Sequence, residues 1–340
     1  MAKFALKTKK ISMPTKPVNK ILVIRLSSLG DILLTTPVIR ALKLQYPFAK
    51  IDFIVKAEFK EALHFNPNIS QLFIYDKENA DKLNSELEVN GYELVIDLQN
   101  NLRSKRLIRR LGENILRFKK PSIEKFLLVW FKINLLKDLK TISQRYAETA
   151  RVNIDGMGLE LFLSENSTAQ LEDGIRYIGI CPGSKHFSKR WPLEYFIQLG
   201  NELIKTGYKS VVFGGKTDAE LCRKISDNIP GSFNLQNDDN LLQTATDMKK
   251  CEVILTNDSG LMHTASAVGV PLISIFGSTV REFGFFPADK QNLILENKSL
   301  SCRPCSHIGK SSCPKKHFKC MKEITPEYVL NQLQNFIEGL

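Results

Sequence analysis

Short apolar runs alternate with amphipathic helical patterns along most of this chain, and that alternation leaves few folds open. An apolar run of about five residues covered on both faces reads as a parallel strand, and its parallel neighbour is reached only through a crossover, usually a helix. The first half carries such runs at residues 21–26, 50–55, 71–75 and 94–98. A second series starts with YIGICPGS at 177 and continues through SVVFGGK at 210, EVILTND at 252 and PLISIFG at 271. Helical patterns over 193–205, 219–228, 240–250 and 262–268 separate them. The expectation is an α/β protein with parallel sheets covered by helices on both faces. At 340 residues the chain exceeds the length at which one core keeps growing, so two domains of about 150 residues each are expected.

Ligands of open parallel sheets bind beyond the carboxyl ends of the strands, so the loops that follow the apolar runs are the places to look for chemistry. SSLGD at 27–31 follows the first run; Gly30 permits a tight turn, and Asp31 is a candidate general base. Aspartate is also a favoured N-cap, and a helical pattern begins at Ile32; if Pro37 instead opens the helix behind a Thr36 cap, Asp31 stands free in the loop. CPGSKHFSKRWP at 181–192 crowds Ser184, Lys185, Ser188, Lys189 and Arg190 at a strand exit, a set that suits a diphosphate or simply a solvated basic loop. NDSGLMHTASAVG at 257–269 ends a strand at Asn257 and Asp258 and turns through Ser259 and Gly260 into a helix, whose first N–H groups would receive an anion. His263, one turn into that helix, is a site residue or a core histidine.

GGKT at 214–217 lacks the glycine that a phosphate-binding loop of nucleotide hydrolases requires, since position 210 is Ser210. No GxGxxG follows the first strand, which counts against a dinucleotide-dependent dehydrogenase.

Charge is uneven. The net charge is +12, and residues 101–120 hold eight basic side chains against one acid, Glu113. Such a field attracts phosphates, or is a solvated helix face. The adjoining stretch 121–138, PSIEKFLLVWFKINLLKD, is apolar on nearly all sides and is expected to be a buried core helix, with a helix lying against lipid as the alternative. Residues 126–131 form the longest uncharged apolar run, far short of the roughly 20 that span a bilayer. The first twenty residues contain six lysines, no acid and no apolar signal core, and are expected to be a flexible basic arm on a cytoplasmic protein. Seven cysteines in such a chain argue for thiols or metal ligands over disulfides. Four of them, Cys302, Cys305, Cys313 and Cys320, fall with His307 and His317 in one segment that could build a tetrahedral zinc site or pack as reduced thiols.

Taken in order, SSLGDILLTTPVIRAL, YELVIDLQNNLRS, PGSKHFSKRWP, NDSGLMHTASAVGVPLISIFG and CRPC followed by TPEYVLNQL resemble glycosyltransferase family nine, the ADP-heptose:lipopolysaccharide heptosyltransferases. The matches span about residues 20–340, and the cysteine-rich tail is most similar to the heptosyltransferase II branch. The resemblance implies a GT-B architecture of two facing Rossmann-like domains: an acceptor-binding domain over 20–155, a linker over 156–176 and a nucleotide-sugar domain over 177–324. It places a terminal helix, 325–340, at the domain junction. The basic arm, 1–19, has no family counterpart. An inverting transferase with no cofactor and no catalytic metal is implied, moving heptose from ADP-heptose to Kdo-lipid A or its heptosylated form at the inner leaflet. Asp31 matches the family's general base. Ser188 lies in its donor-phosphate loop, Lys189 matches its diphosphate lysine, and Asp258, Ser259, Gly260 and His263 match its donor motif. Arg103 falls where a basic residue faces the phosphorylated acceptor. Alternative readings are a family-nine transferase of another sugar and a non-enzymatic nucleic-acid-binding protein. Against the latter, the aromatics are not interleaved with the basic stripe as a base-stacking platform would require, so nucleic acid is not expected as a partner.

Overall fold

The computed structural model describes residues 18–112, 114–136, 138–287 and 291–340. Residues 1–17 of the basic arm and Glu113 lie outside the described residues. Five strands come first: β1 (Lys20–Ile24), β2 (Lys50–Lys56), β3 (Gln71–Tyr75), β4 (Leu94–Asp97) and β5 (Ile115–Arg117). With them run α1 (Leu29–Leu33), α2 (Thr36–Gln45), α3 (Ala80–Asn90), α4 (Leu102–Leu107), α5 (Ser122–Phe131) and α6 (Ile142–Ala150). A second set follows: β6 (Tyr177–Cys181), β7 (Lys209–Phe213), β8 (Phe233–Leu235), β9 (Cys251–Asn257), β10 (Leu272–Phe276) and β11 (Asn292–Glu296). Its helices are α7 (Leu193–Lys205), α8 (Ala219–Ser226), α9 (Leu241–Met248), α10 (Gly260–Ala267), α11 (Lys319–Lys322) and α12 (Pro326–Glu338).

Both sheets are parallel, in the orders β3-β2-β1-β4-β5 and β11-β10-β9-β6-β7-β8. Each strand order reverses beside the strand that opens its half, so the crevices of the two sheets lie above β1/β4 and β6/β9. Alternation sorts the side chains of the central strands to opposite cores. Ile21 and Val23 enter one cluster and Leu22 and Ile24 the other, while Ile178 and Ile180 part from Tyr177 and Cys181.

The halves are fastened to one another. Leu241 and Ala245 of α9 and Ala267 of α10 pack into the first-half core, and Glu61 accepts a hydrogen bond from the Leu241 N–H at the start of α9 (2.8 Å). The connecting chain is held on both sides. Arg40 of α2 forks onto Asp155 through two 2.7 Å bonds and reaches Glu160 at 2.7 Å, and Leu161 N–H donates to Ala267 O. Among the described residues no helix is long and apolar enough to cross a membrane.

Three expectations need correcting. The stretch 121–138 is not a buried helix: within α5 only Leu128 is buried, because the sheet it follows ends at β5 and leaves nothing to cover its other side. The terminal helix lies on α7 in the second half, where Val329 and Leu333 complete the core. Their spacing of four residues makes one apolar stripe that α7 covers, so the helix has no second apolar face for the junction. Finally, α1 and α2 divide the segment after β1. Ser28 caps α1 and Asp31 is its third residue, while Pro37 is the second residue of α2 behind Thr35, so Asp31 is neither an N-cap nor free in a loop. The short strands β5, β8 and β11 were not foreseen.

Trp191 ties the loop after β6 to its surroundings. It is 2% exposed, its backbone N–H donates to Asn257 Oδ1 (3.0 Å), and its indole N–H donates to Ile324 O (2.7 Å). Trp191→Phe keeps most of the volume and strands the Ile324 carbonyl, so an expected loss of about 1–3 kcal/mol should appear as a lower guanidinium midpoint with an unchanged m value.

Candidate active site

The loops that follow β1, β4, β6 and β9 meet where the two crevices face one another, and α1 and α10 touch there. They approach through glycine. A Cβ on Gly30 would stand 2.4 Å from His263 Cδ2, and one on Gly260 would stand 3.2 Å from Leu29 Cδ2. Neither position has room for a larger residue without moving its neighbour.

On the β1 side, Asp31 is held from two directions. Its Oδ1 pairs with the Arg25 guanidinium at 2.8 Å and accepts a long bond from Tyr146 OH (3.4 Å), while Oδ2 accepts from Ser28 Oγ (2.8 Å) and Ser28 N (3.3 Å). The Asp31 side chain keeps 16% exposure, so the carboxylate still reaches solvent. Arg25 is buried, donates to Leu98 O at 2.8 Å and lies over the ring of Tyr146, so it is itself fixed before it orients the acid. Arg25 is the residue that sequence reasoning passed over. Its signal was available: a lone arginine at the end of an otherwise apolar strand segment must have a buried partner.

A basic wall stands near the acid. Lys120 reaches Asn100 O (3.1 Å); burial lowers its ammonium pKa, the positive charges of Arg25 and Lys105 lower it further, and Asp97 and Asp31 pull the other way. Lys125 is pushed down to about 8, chiefly by burial and next by Arg145, and its ammonium sits 5.8 and 5.6 Å from the ring centroids of Phe283 and Phe285. Arg145 donates to Glu282 O (2.9 Å). Arg103, the basic residue expected here from sequence, is exposed on the first turn of α4. Only the folded chain brings Lys125 within reach of the charge of Asp31, with Arg145 next to that lysine.

On the facing side, Lys189 pairs with Asp258 at 2.7 Å, and Thr279 Oγ1 donates to the same carboxylate oxygen (2.7 Å). Thr279 therefore shares in holding the lysine in place, although its sequence carried no signal. Ser259 caps α10 with its side-chain oxygen buried and without a hydrogen-bond partner among the described residues. The first N–H groups of α10 and an unpartnered hydroxyl thus point to an anion. Ser188 is spoken for: its hydroxyl is 2.9 Å from Ser278 Oγ and accepts from Lys310 N (2.8 Å), so it braces the loop that presents Lys189. Ser184 donates to Asp258 O (3.2 Å). His263 lies between the two sides, buried, and burial pushes its pKa down to about 4 against the pull of Asp258 and Asp31, so the ring is neutral near pH 7.

The cysteine-rich segment backs the loop that carries Lys189, since Ser188 N donates to Lys310 O (3.0 Å) and Cys305 N donates to Ser278 O (3.3 Å). Cys302 Sγ is 3.8 Å from His317 Nε2 and Phe318 N donates to Cys313 Sγ, while Cys320 and Cys313 pack into the second core. Among the described residues no group of three or more histidine, cysteine or acidic side chains is placed to hold a metal ion, and all seven cysteines are free thiols.

The comparisons with known proteins agree with this geometry. The family model for glycosyltransferase family 9 (heptosyltransferase) matches residues 80–316. The lipooligosaccharide heptosyltransferase 2 of Campylobacter jejuni is 32% identical over 176 residues, 50% of this chain and 53% of that protein, so the match spans about half of that relative's length. Its counterpart from Haemophilus influenzae is 27% identical over 356 residues, covering 93% of this chain and 99% of its own. Among solved structures, the family 9 transferase of Veillonella parvula superposes with a TM-score of 0.77 at 24% identity, covering 95% of this chain and 98% of that one. Escherichia coli ADP-heptose lps heptosyltransferase II gives 0.73 at 23%, covering 94% and 99%. The two parallel-sheet domains are accordingly a GT-B fold, and with the family match extending over residues 80–316, through the loops after β6 and β9, this chain belongs to glycosyltransferase family 9.

Proposed function

We propose that this protein is an inverting heptosyltransferase that moves heptose from ADP-heptose to the inner core of lipopolysaccharide, either Kdo-lipid A or its heptosylated form. The observation that carries the reading is the opposition, across the Gly30–His263 contact, of an oriented carboxylate to a lysine and a helix N-terminus. The acceptor hydroxyl attacks the anomeric carbon and gives its proton to Asp31, displacing the two weakest of the four contacts that now surround the carboxylate. The bond from that carbon to the diphosphate breaks on the opposite face. Lys189 and the start of α10 then receive the charge that develops on ADP, in a site whose dipoles are already aligned.

The acceptor is anionic, and Lys120 and Lys125 supply cations near Asp31 to hold it, with Arg145 next to Lys125. Arg103, exposed on α4, is an outer contact for the phosphorylated part of the same substrate. Neutral His263 offers one N–H donor at the meeting of the two subsites without placing a charge between Asp31 and Lys189. The H. influenzae relative named lipooligosaccharide heptosyltransferase 2 matches over 93% of this chain, which supports heptose over another sugar. A lipid-anchored acceptor of this kind places the enzyme in the cytoplasm as a peripheral protein at the inner face of the inner membrane.

Asp31→Asn tests the base directly. Turnover with ADP-heptose should fall by about 10²–10⁴-fold. ADP should bind as it does to the unchanged protein when measured by calorimetry at a temperature where the variant is folded. That condition matters because Arg25 loses its counter-ion and stability will drop with it. Full turnover in the variant would remove Asp31 as the base.

His263 makes folding stability depend on pH with a defined sign. Its folded pKa is depressed to about 4 from 6.5, so the unfolded chain takes up the proton first. The contribution is complete above about pH 6.5 and is lost as pH falls toward 4, reaching about 3 kcal/mol. Denaturant unfolding across that window should show this loss in the unchanged protein, and the difference curve against His263→Gln should isolate it. Parallel curves would mean that the imidazole takes up its proton in the folded state as readily as in water.

A further inference from the structure

The apolar face of α5 looks outward, and the helix cannot roll to hide it. Ile123, Phe126 and Trp130, spaced three and four residues apart, share one side and are 73%, 53% and 69% exposed. The rings of Trp130 and Phe131 gather around Phe126 at centroid distances of 6.2 and 6.0 Å, forming an aromatic cluster at the surface. The opposite side is tied down. Leu128 is buried, Lys125 lies over Phe283 and Phe285, and Lys132 at the C-cap donates to Pro304 O (2.7 Å) and Cys302 O (3.2 Å). Beyond the helix Ile133 and Leu135 are also exposed. Contiguous apolar patches of this size on a soluble face mark an interaction site.

Charge says what covers it. Arg117 ends β5, Lys119 and Lys120 lead directly into α5, and all three are exposed. Lys120 also bonds to Asn100 O, beside the α4 cap, and feels the charge of Lys105, so the basic turn of α4 adjoins the start of α5. We propose that this face, an apolar aromatic helix beside the basic α4–β5 segment, seats the protein on an anionic lipid bilayer, with α5 in the interface plane and the cations over the headgroups. A second copy of the chain is the poorer occupant. A two-fold contact through this face would bring the same cationic segment against itself, with Glu124 the one acid within α5 to answer it. Because α5 carries Lys125 into the basic wall near Asp31, seating it on lipid turns the cleft toward the membrane. That last consequence rests on the proposed acceptor, whereas the lipid contact does not.

The test uses the full chain and vesicles alone, without donor or acceptor. The protein should sediment with phosphatidylcholine vesicles containing phosphatidylglycerol and stay in solution with phosphatidylcholine alone, and high salt should weaken the binding. The chain has two tryptophans and Trp191 is buried, so a blue shift of emission on adding anionic vesicles reports Trp130 entering the interface. Brominated acyl chains should quench that emission. A variant carrying Ile123→Ser, Phe126→Ser and Trp130→Ser should lose sedimentation while keeping the thermal stabilisation by ADP, which shows that it is folded. Absence of binding to anionic vesicles, or equal binding by the triple variant, overturns the proposal. So does a dimer in sedimentation velocity that the triple variant abolishes, since that would give the face to a second copy. Vesicle binding by an enzyme that transfers no heptose would leave this surface in place and remove only the transfer reading.

Discussion

A site divided between two sheets works only if loops carried by separate cores meet at a distance that side chains can bridge, and here glycine sets that distance. Gly30 lets α1 lie against His263, and Gly260 lets α10 lie against Leu29. A methyl group at position 30 would collide with the imidazole and move Asp31 away from Lys189. The remaining contacts between the halves reinforce this approach. The start of α9 is bonded to Glu61, Arg40 holds the connecting chain, and Gly284 O accepts from Ile142 N. Together they act as a frame that keeps two half-sites in register.

Within that frame the charges are arranged in advance. Asp31 is oriented by a buried arginine that is itself bonded to the Leu98 carbonyl, and Lys189 is oriented by an aspartate that Thr279 also engages. Each catalytic candidate thus has a partner whose own position is fixed, which is the condition for electrostatic stabilisation without reorganisation. His263 contributes by remaining neutral. A charged imidazole between Asp31 and Lys189 would attract the carboxylate and repel the ammonium, disturbing both arrangements.

The surface of the first domain is organised around the same cleft. The segment from α4 to α5 places cations at one edge of the sheet and aromatic side chains beyond them, and Lys125 belongs to both the cleft and the helix. A helix that leaves Ile123, Phe126 and Trp130 in water forgoes the stabilisation of burying them, which an ordinary core helix would collect.

Much of this was legible in the sequence because it depends on local pattern. The alternation of periods two and 3.6 located the central strands and most of the helices to within a few residues, and the placement of acids, lysines and glycines after those strands marked Asp31, Lys189 and the 258–263 loop. Elements of three residues, such as β5 and β8, leave too short a period to detect, and they are strands only because neighbouring strands pair with them. The fate of α5 and α12 was likewise not written locally. An apolar helix is buried or exposed according to what the rest of the chain leaves beside it, and α12 found α7 whereas the outer face of α5 found nothing. The approach of Lys125 and Tyr146 to Asp31 joins residues far apart in sequence, and distances of that kind are decided by how the sheets stack. Residue types and their order determined the chemistry available, and only the tertiary packing determined which groups stand within reach of one another.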